Sequence, residues 1–146
     1  MAKRTKTRST EWKKSTVPME FGRILITESG IHQSLFLREV EGKRELPIFI
    51  SFLEAVGIER KLRKLPARRP FTHDLLCEAV KELGGRFLDV HIYDFLNGTY
   101  FARIWIKKKE ICIPLESRPS DAVAVALTCR PPLQIFVEEK LLRVAP

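Results

Sequence analysis

Glu54, His73, Asp74, Asp94, Arg118, Ser120 and Asp121 are the polar residues of this chain whose types and spacing suit chemistry. Each stands near the end of an expected helix or strand, where sites are commonly built. Carboxylates from different ends that converged on one patch would hold Mg²⁺ or Mn²⁺ through oxygen ligands. Glu54, Asp94 and Asp121 are the candidate ligands for such a divalent metal. Each residue also has a structural explanation. Asp74 and Asp121 fall in first helical turns, where the helix dipole favours a carboxylate, and Glu54 stands at another helix start. Asp94 continues the core-facing parity of Leu88, Val90 and Ile92, so it either rims the core or serves the Asn97-Gly98 turn. Arg118 immediately precedes an apolar helix, and a guanidinium held there needs carboxylate or carbonyl partners, with Asp94 and Asp74 as the candidate carboxylates.

Other chemistries lack their signatures. There is no Gly-rich phosphate loop, His-Glu-x-x-His, Gly-x-Ser-x-Gly or paired Cys/His ligand set. Cys77, Cys112 and Cys129 cannot all pair, and none lies in a Cys-x-x-Cys spacing, which argues against a disulfide scaffold or a zinc ribbon. All three read as small core residues.

The elements that must position these side chains follow from periodicity. Strands are expected over Met19 to Thr27, Ser34 to Val40 and Glu45 to Ile50, with Ser29-Gly30 as the first turn. A helix follows in which Ala55, Ile58, Leu62 and Leu65 make one apolar face. The next starts at Thr72 as N-cap, buries Leu76, Ala79, Val80 and Leu83, and stops at Gly84-Gly85. A hairpin of Leu88 to Asp94 and Thr99 to Lys107 turns at Asn97-Gly98. Strand Glu110 to Leu115 leads to a helix entered through Pro119, whose Ala122 to Leu127 segment is apolar all round. Strand Leu133 to Val137 and a short helix from Glu138 close the chain. Strands grouped between helices make this α+β, a single domain over 17–146 with a mostly antiparallel or mixed sheet and about three helices.

The chain has 146 residues, a one-domain length, and its 45% apolar content is enough for a core. No apolar run approaches the ~18 residues that span a bilayer. The basic N-terminus lacks the apolar stretch of a secretory leader. A cytoplasmic protein without membrane contact is the expectation. The net charge is +8. The first sixteen residues hold six basic side chains against Glu11 alone, and they are expected to be a disordered basic tail able to bind polyanions.

Two further surfaces could meet nucleic acid. One is the basic side of the first helix and the segment after it: Arg60, Lys61, Arg63, Lys64, Arg68 and Arg69. The other is the hairpin face that carries His91 and Tyr93 on one strand and Phe101, Arg103, Trp105 and Lys107 on the other. Aromatic and basic groups interleaved in this way suit stacked bases. They equally suit an interface between protomers, the reading slightly preferred, which implies a homo-oligomer.

Four segments together resemble the bifunctional nuclease (BFN) domain family. They are Leu46-Pro47-Ile48-Phe49-Ile50 with Glu54-Ala55, Arg69-Pro70-Phe71-Thr72-His73-Asp74-Leu75, Asp94 with Gly98-Thr99-Tyr100-Phe101-Ala102, and Arg118-Pro119-Ser120-Asp121-Ala122. Their order and spacing agree over about residues 19–142. The resemblance implies a small α+β domain and nuclease activity on DNA and RNA, ascribed to the family through plant members. The chain departs from the pattern at Ser51, where a glycine is usual, and in the more polar Gly57-Ile58-Glu59-Arg60.

The expected function is therefore a nuclease of low sequence specificity. His73, Asp74, Asp94, Arg118 and Asp121 are its catalytic candidates. Carboxylates would hold the metal that activates water, Arg118 would stabilise the developing charge, and His73 would serve as general acid or base. The rival is a non-catalytic nucleic-acid-binding or regulatory domain whose polar motif is a structural hydrogen-bond network. An open cleft with free carboxylate oxygens marks the first, and a closed, buried network the second.

Overall fold

The computed structural model describes residues 10–27 and 33–144. The Ser29-Gly30 turn and the first nine residues lie outside them. Seven strands form one mixed sheet: β1 (Thr16–Leu25), β2 (Gln33–Glu39), β3 (Glu45–Ile50), β4 (Gly85–Leu96), β5 (Thr99–Lys108), β6 (Ile111–Ser117) and β7 (Gln134–Glu138). Four helices accompany them: α1 (Phe52–Leu62), α2 (Thr72–Glu82), α3 (Pro119–Thr128) and α4 (Glu139–Val144). The α+β class expected from the sequence is the class observed.

The strand order is β3-β2-β1-β7-β4-β5-β6. Two antiparallel meanders, β1-β2-β3 and β4-β5-β6, are joined by β7, which runs antiparallel to β1 and parallel to β4. Pro47 occupies an edge strand, where its missing N–H costs no ladder bond. Asn97 and Gly98 both have positive φ, 53° and 76°, the left-handed pair that a tight hairpin turn requires.

The core lies between the sheet and α3. Residues 122–126 of α3 are all buried, as an uninterrupted apolar run demands. They meet Val90 and Ile92 of β4, Ala102 and Ile104 of β5, and Ile135 and Val137 of β7 in one cluster. The flanking helices are more superficial than their patterns suggest. In α1, Ala55 and Ile58 are buried, but the helix ends at Leu62, and Leu62 and Leu65 are exposed. In α2, Leu76 and Val80 pack on the core while Ala79 and Leu83 face outward. The helix begins at Thr72, but its cap position is Phe71, whose N–H donates to Asp74 Oδ2 at 3.0 Å. Thr72 is thus the first helical residue rather than the cap.

The opposite face of the sheet corrects the expectation of a tail disordered through residue 16. Glu11–Ser15 form a 3₁₀ turn that runs directly into β1. Its Trp12 ring stacks on His91 at 4.3 Å between centroids, lies parallel to Trp105 at 6.1 Å, and meets Phe136 edge-on at 5.5 Å. Burying this aromatic surface offsets the cost of ordering the segment.

His91 is buried under that ring, with Nε2 2.8 Å from Glu138 Oε1. Burial pulls its pKa below the ordinary histidine value, partly opposed by Glu138 and reinforced by the Arg103 charge. A histidine whose folded pKa is depressed takes up its proton first in the unfolded chain. Stability should therefore fall as pH drops below the unfolded value of ~6.5. Urea melts between pH 7.5 and 5.5 should show this decline in the wild type and a flatter one in His91→Gln. Parallel declines would assign the effect to other groups.

Candidate functional site

The site forms where α1, α2 and α3 begin. Ser51 caps α1: its hydroxyl accepts from the Glu54 N–H at 3.2 Å, and Glu54 Oε2 accepts the Ser51 N–H at 3.3 Å. Ser51 thus completes a capping box and fixes the Glu54 side chain. Glu54 Oε1 then lies 2.9 Å from Arg118 Nη1. Arg118 sits at the cap position of α3, with Pro119 as the first helical residue, and its Nε donates to Asp121 Oδ2 at 2.8 Å. The other oxygen, Asp121 Oδ1, lies 3.0 Å from His73 Nε2, one residue into α2. Four residues from three helix starts make one chain: Glu54, Arg118, Asp121, His73.

Its electrostatics follow from that order. Partial burial pushes the Asp121 carboxyl up, but hydrogen bonds from Arg118 and His73 outweigh it and leave the group below the ordinary aspartate range. The Asp121 hydrogen bond, with the charges of Asp121 and Glu54, raises the Arg118 pKa further. The Arg118 side chain nevertheless stays 67% exposed, while Glu54, Asp121 and His73 are mostly covered. Beneath it opens a cavity of about 700 Å³ between β3 and the β4–β5 turn, walled by Phe49, Phe95 and Tyr100.

The other candidates fall elsewhere. Asp74 pairs with Lys61 of α1, and that bond, with the Phe71 N–H, overcomes the upward push of burial and holds its carboxyl low. Asp94 does not join the site. The register shifts between Ile92 and Asp94, and the carboxylate instead accepts its neighbour's N–H from Phe95 at 2.9 Å, with Lys140 Nζ 3.6 Å away. Neither Asp94 nor Asp74 partners Arg118; Glu54 and Asp121 do. The metal-ligand trio Glu54, Asp94 and Asp121 does not converge, and no group of three His, Cys, Asp or Glu side chains suited to a metal occurs among the described residues. Both oxygens of Glu54 and both of Asp121 already have partners. This donor arrangement does not fit a bound divalent ion.

The basic candidates divide. Lys61 is spent on Asp74 and Arg63 on Glu59 at 2.8 Å. Lys64, with φ 54°, ends the α1 region in the open, and Arg68 and Arg69 are exposed beyond it. The hairpin residues do share one face, but Trp105 is only 8% exposed beneath Trp12, and the Arg103 guanidinium lies 3.7 Å over the Tyr93 ring. Trp105 therefore offers no stacking surface to a base. Sequence reasoning missed the cap role of Ser51, although Ser-x-x-Glu before an apolar run is a legible cap signal, and it missed Tyr100 as a cavity wall.

Residues 35–146 match the model of the bifunctional nuclease domain. An uncharacterised protein of Mycobacterium tuberculosis is 39% identical over 111 residues, which cover 76% of this chain and 65% of that protein. Bifunctional nuclease 1 of Oryza sativa subsp. indica is 25% identical over 75% of this chain and 34% of its own length. Bifunctional nuclease 2 of Arabidopsis thaliana is 25% identical over 71% and 33%. The chain thus spans just under two thirds of the mycobacterial relative and a third of the plant nucleases. With the match running from β2 through every residue of the Glu54–Arg118–Asp121–His73 chain, the protein belongs to the bifunctional nuclease domain family.

Proposed function

We propose that this domain is a phosphodiesterase of low sequence specificity that acts on DNA or RNA strands. The observation that carries the reading is the exposed Arg118, clamped by Glu54 and Asp121 beside an Asp-oriented histidine. A guanidinium held by two carboxylates keeps its position yet leaves N–H groups toward the cavity for a phosphate oxygen. Asp121 fixes His73 as aspartate fixes histidine in hydrolytic triads, so that the imidazole can take a proton from an attacking water. Arg118 then faces the charge that builds on the phosphate. The names of the plant relatives support the same reaction class.

One observation favours the rival, non-catalytic reading: all four carboxylate oxygens in the chain are hydrogen-bonded, as in a structural network. The assay that separates the two is cleavage of single-stranded DNA and RNA by highly purified protein, in EDTA and in Mg²⁺ or Mn²⁺. Cleavage that persists in EDTA and loses a limb of its pH profile in His73→Gln is expected. An unchanged rate and pH profile in a folded His73→Gln variant would overturn proton transfer by His73. No cleavage under any condition would leave a binding module. The proposal extends to a homo-oligomer, because Phe49 and Phe95 on the cavity beneath Arg118 and Phe52, Leu53 and Leu96, close to them in sequence, are exposed apolar side chains, and such patches mark interaction surfaces; the mass in solution checks this.

A further inference from the structure

A second cleft, of about 500 Å³, opens where the segment between α1 and α2 folds back on both helices. Arg60, Lys61, Arg68 and Arg69 line it, against Asp74 and Glu78. Lys61 is neutralised by Asp74, which leaves three arginines and one glutamate. Arg68 and Arg69 have no ion pair or hydrogen bond among the described residues, although each could find one on a surface with this many acids. Arg60 is more telling. Its Nε is buried without an acceptor, and its only hydrogen bond among the described residues is a long one, 3.5 Å, from Nη2 to the Pro66 carbonyl. A buried guanidinium N–H without a partner carries the desolvation cost of that group. A phosphate oxygen entering the cleft would relieve it. Phe71 forms another wall, 47% exposed, with the Arg60 guanidinium 5.2 Å from its ring centre.

This cleft and the Arg118 site are neighbours through shared lining residues. It shares Gly57, Lys61 and Phe71 with a smaller cavity of about 240 Å³, which is lined also by Glu54, His73 and Ser120. That cavity in turn shares Glu54 and Ser120 with the one beneath Arg118. Glu54 and Lys61 stand two turns apart on α1, about 10 Å by the helical rise, within reach of a short strand. The three adjoining cavities thus present, in order, three arginines, an exposed aromatic ring and the histidine, then Arg118 with a second set of aromatics.

We infer that the α1–α2 cleft is a phosphate subsite, in which Arg60, Arg68 and Arg69 hold a phosphate of a nucleic-acid strand that flanks the one at Arg118, with Phe71 stacking a neighbouring base. The inference rests on reading the Arg118 centre as a phosphodiester site, but its test does not require turnover. A fluorescein-labelled oligothymidylate with cleavage-resistant phosphorothioate linkages is titrated with protein from 0.1 to 1 M salt, using wild type, Arg68→Ala/Arg69→Ala, and Lys43→Ala/Lys108→Ala. The last pair removes the same charge from exposed lysines that line none of the three cavities. Each phosphate contact contributes about 0.7 to the salt slope for a single strand, so losing two should flatten it by about 1.4 and weaken binding at 0.1 M roughly 25-fold if the lines meet at 1 M. The lysine pair should move neither quantity comparably. Equal effects from the two double variants, or wild-type binding by the arginine variant, would overturn the subsite. A wild type that binds through Arg68 and Arg69 yet leaves unmodified DNA and RNA strands intact in the cleavage assay retains the subsite and sinks the nuclease reading. A nuclease indifferent to both arginines does the reverse.

Discussion

Arg118→Ala is expected to remain folded and to lose about 10²- to 10³-fold in cleavage rate, the usual cost of removing one charge-stabilising donor. The position of Arg118 before a buried helix pointed instead to a buried pair, whose disruption typically costs ~3–5 kcal/mol. Exposure decides between the two. With 67% of the side chain in solvent, its ion pairs belong to the surface class, worth roughly 0.2–1 kcal/mol each. The variant should therefore melt within a few degrees of wild type near neutral pH. Its acid limb should change. Asp121 now titrates low because Arg118 and His73 outweigh burial, so its contribution is present above the unfolded aspartate pKa, ~3.9, and disappears as pH falls through the lower folded value. Without Arg118 that contribution shrinks and is lost at higher pH. Arg118→Lys should restore activity only in part, because an ammonium cannot reach Glu54 and Asp121 with a rigid fork. A folded Arg118→Ala enzyme that cleaves at the wild-type rate would remove Arg118 from the mechanism.

Trp12→Ala should cost about 3 kcal/mol, near the lower end for a large aromatic truncated in a packed site, and lower Tm by roughly 10 °C for a domain of this size. The ring closes the far face of the sheet over His91, Trp105 and Phe136. Its loss wets three side chains at once, including the buried and unpartnered Trp105 Nε1. Lys13 Nζ, 5.5 Å from the centre of the Trp12 ring, would lose that contact as well. Thermal and urea melts measure the effect, and Trp12→Phe should recover most of it. An unchanged Tm would mean that the 3₁₀ turn is not docked in solution.

These two residues show where the sequence is legible and where it is not. Local chemistry reads directly: Asn97-Gly98 requires its hairpin turn, Pro119 its helix start, and the all-apolar run 122–126 its burial. Periodicity also selected Glu54, His73, Arg118 and Asp121. It could not pair them, because the chain Glu54–Arg118–Asp121–His73 depends on how three helix starts dock, a non-local property. Asp94 illustrates the opposite failure. Parity placed it with Val90 and Ile92, but a register shift between Ile92 and Asp94 carries it away from the site, and a one-residue irregularity leaves no composition signal. Trp12 was hidden by its basic neighbours, since charge averaged over a tail obscures one aromatic that docks.

The placement of β7 between β1 and β4 has a consequence for biosynthesis. Both meanders are translated before residues 134–138 exist, so the emerging chain carries two unsatisfied strand edges that only its last strand can bridge. Ladders of such large sequence separation are slow to close, and open edges recruit strands from other chains. A stop codon shortly before Gln134 should therefore turn a well-behaved domain into a chaperone client.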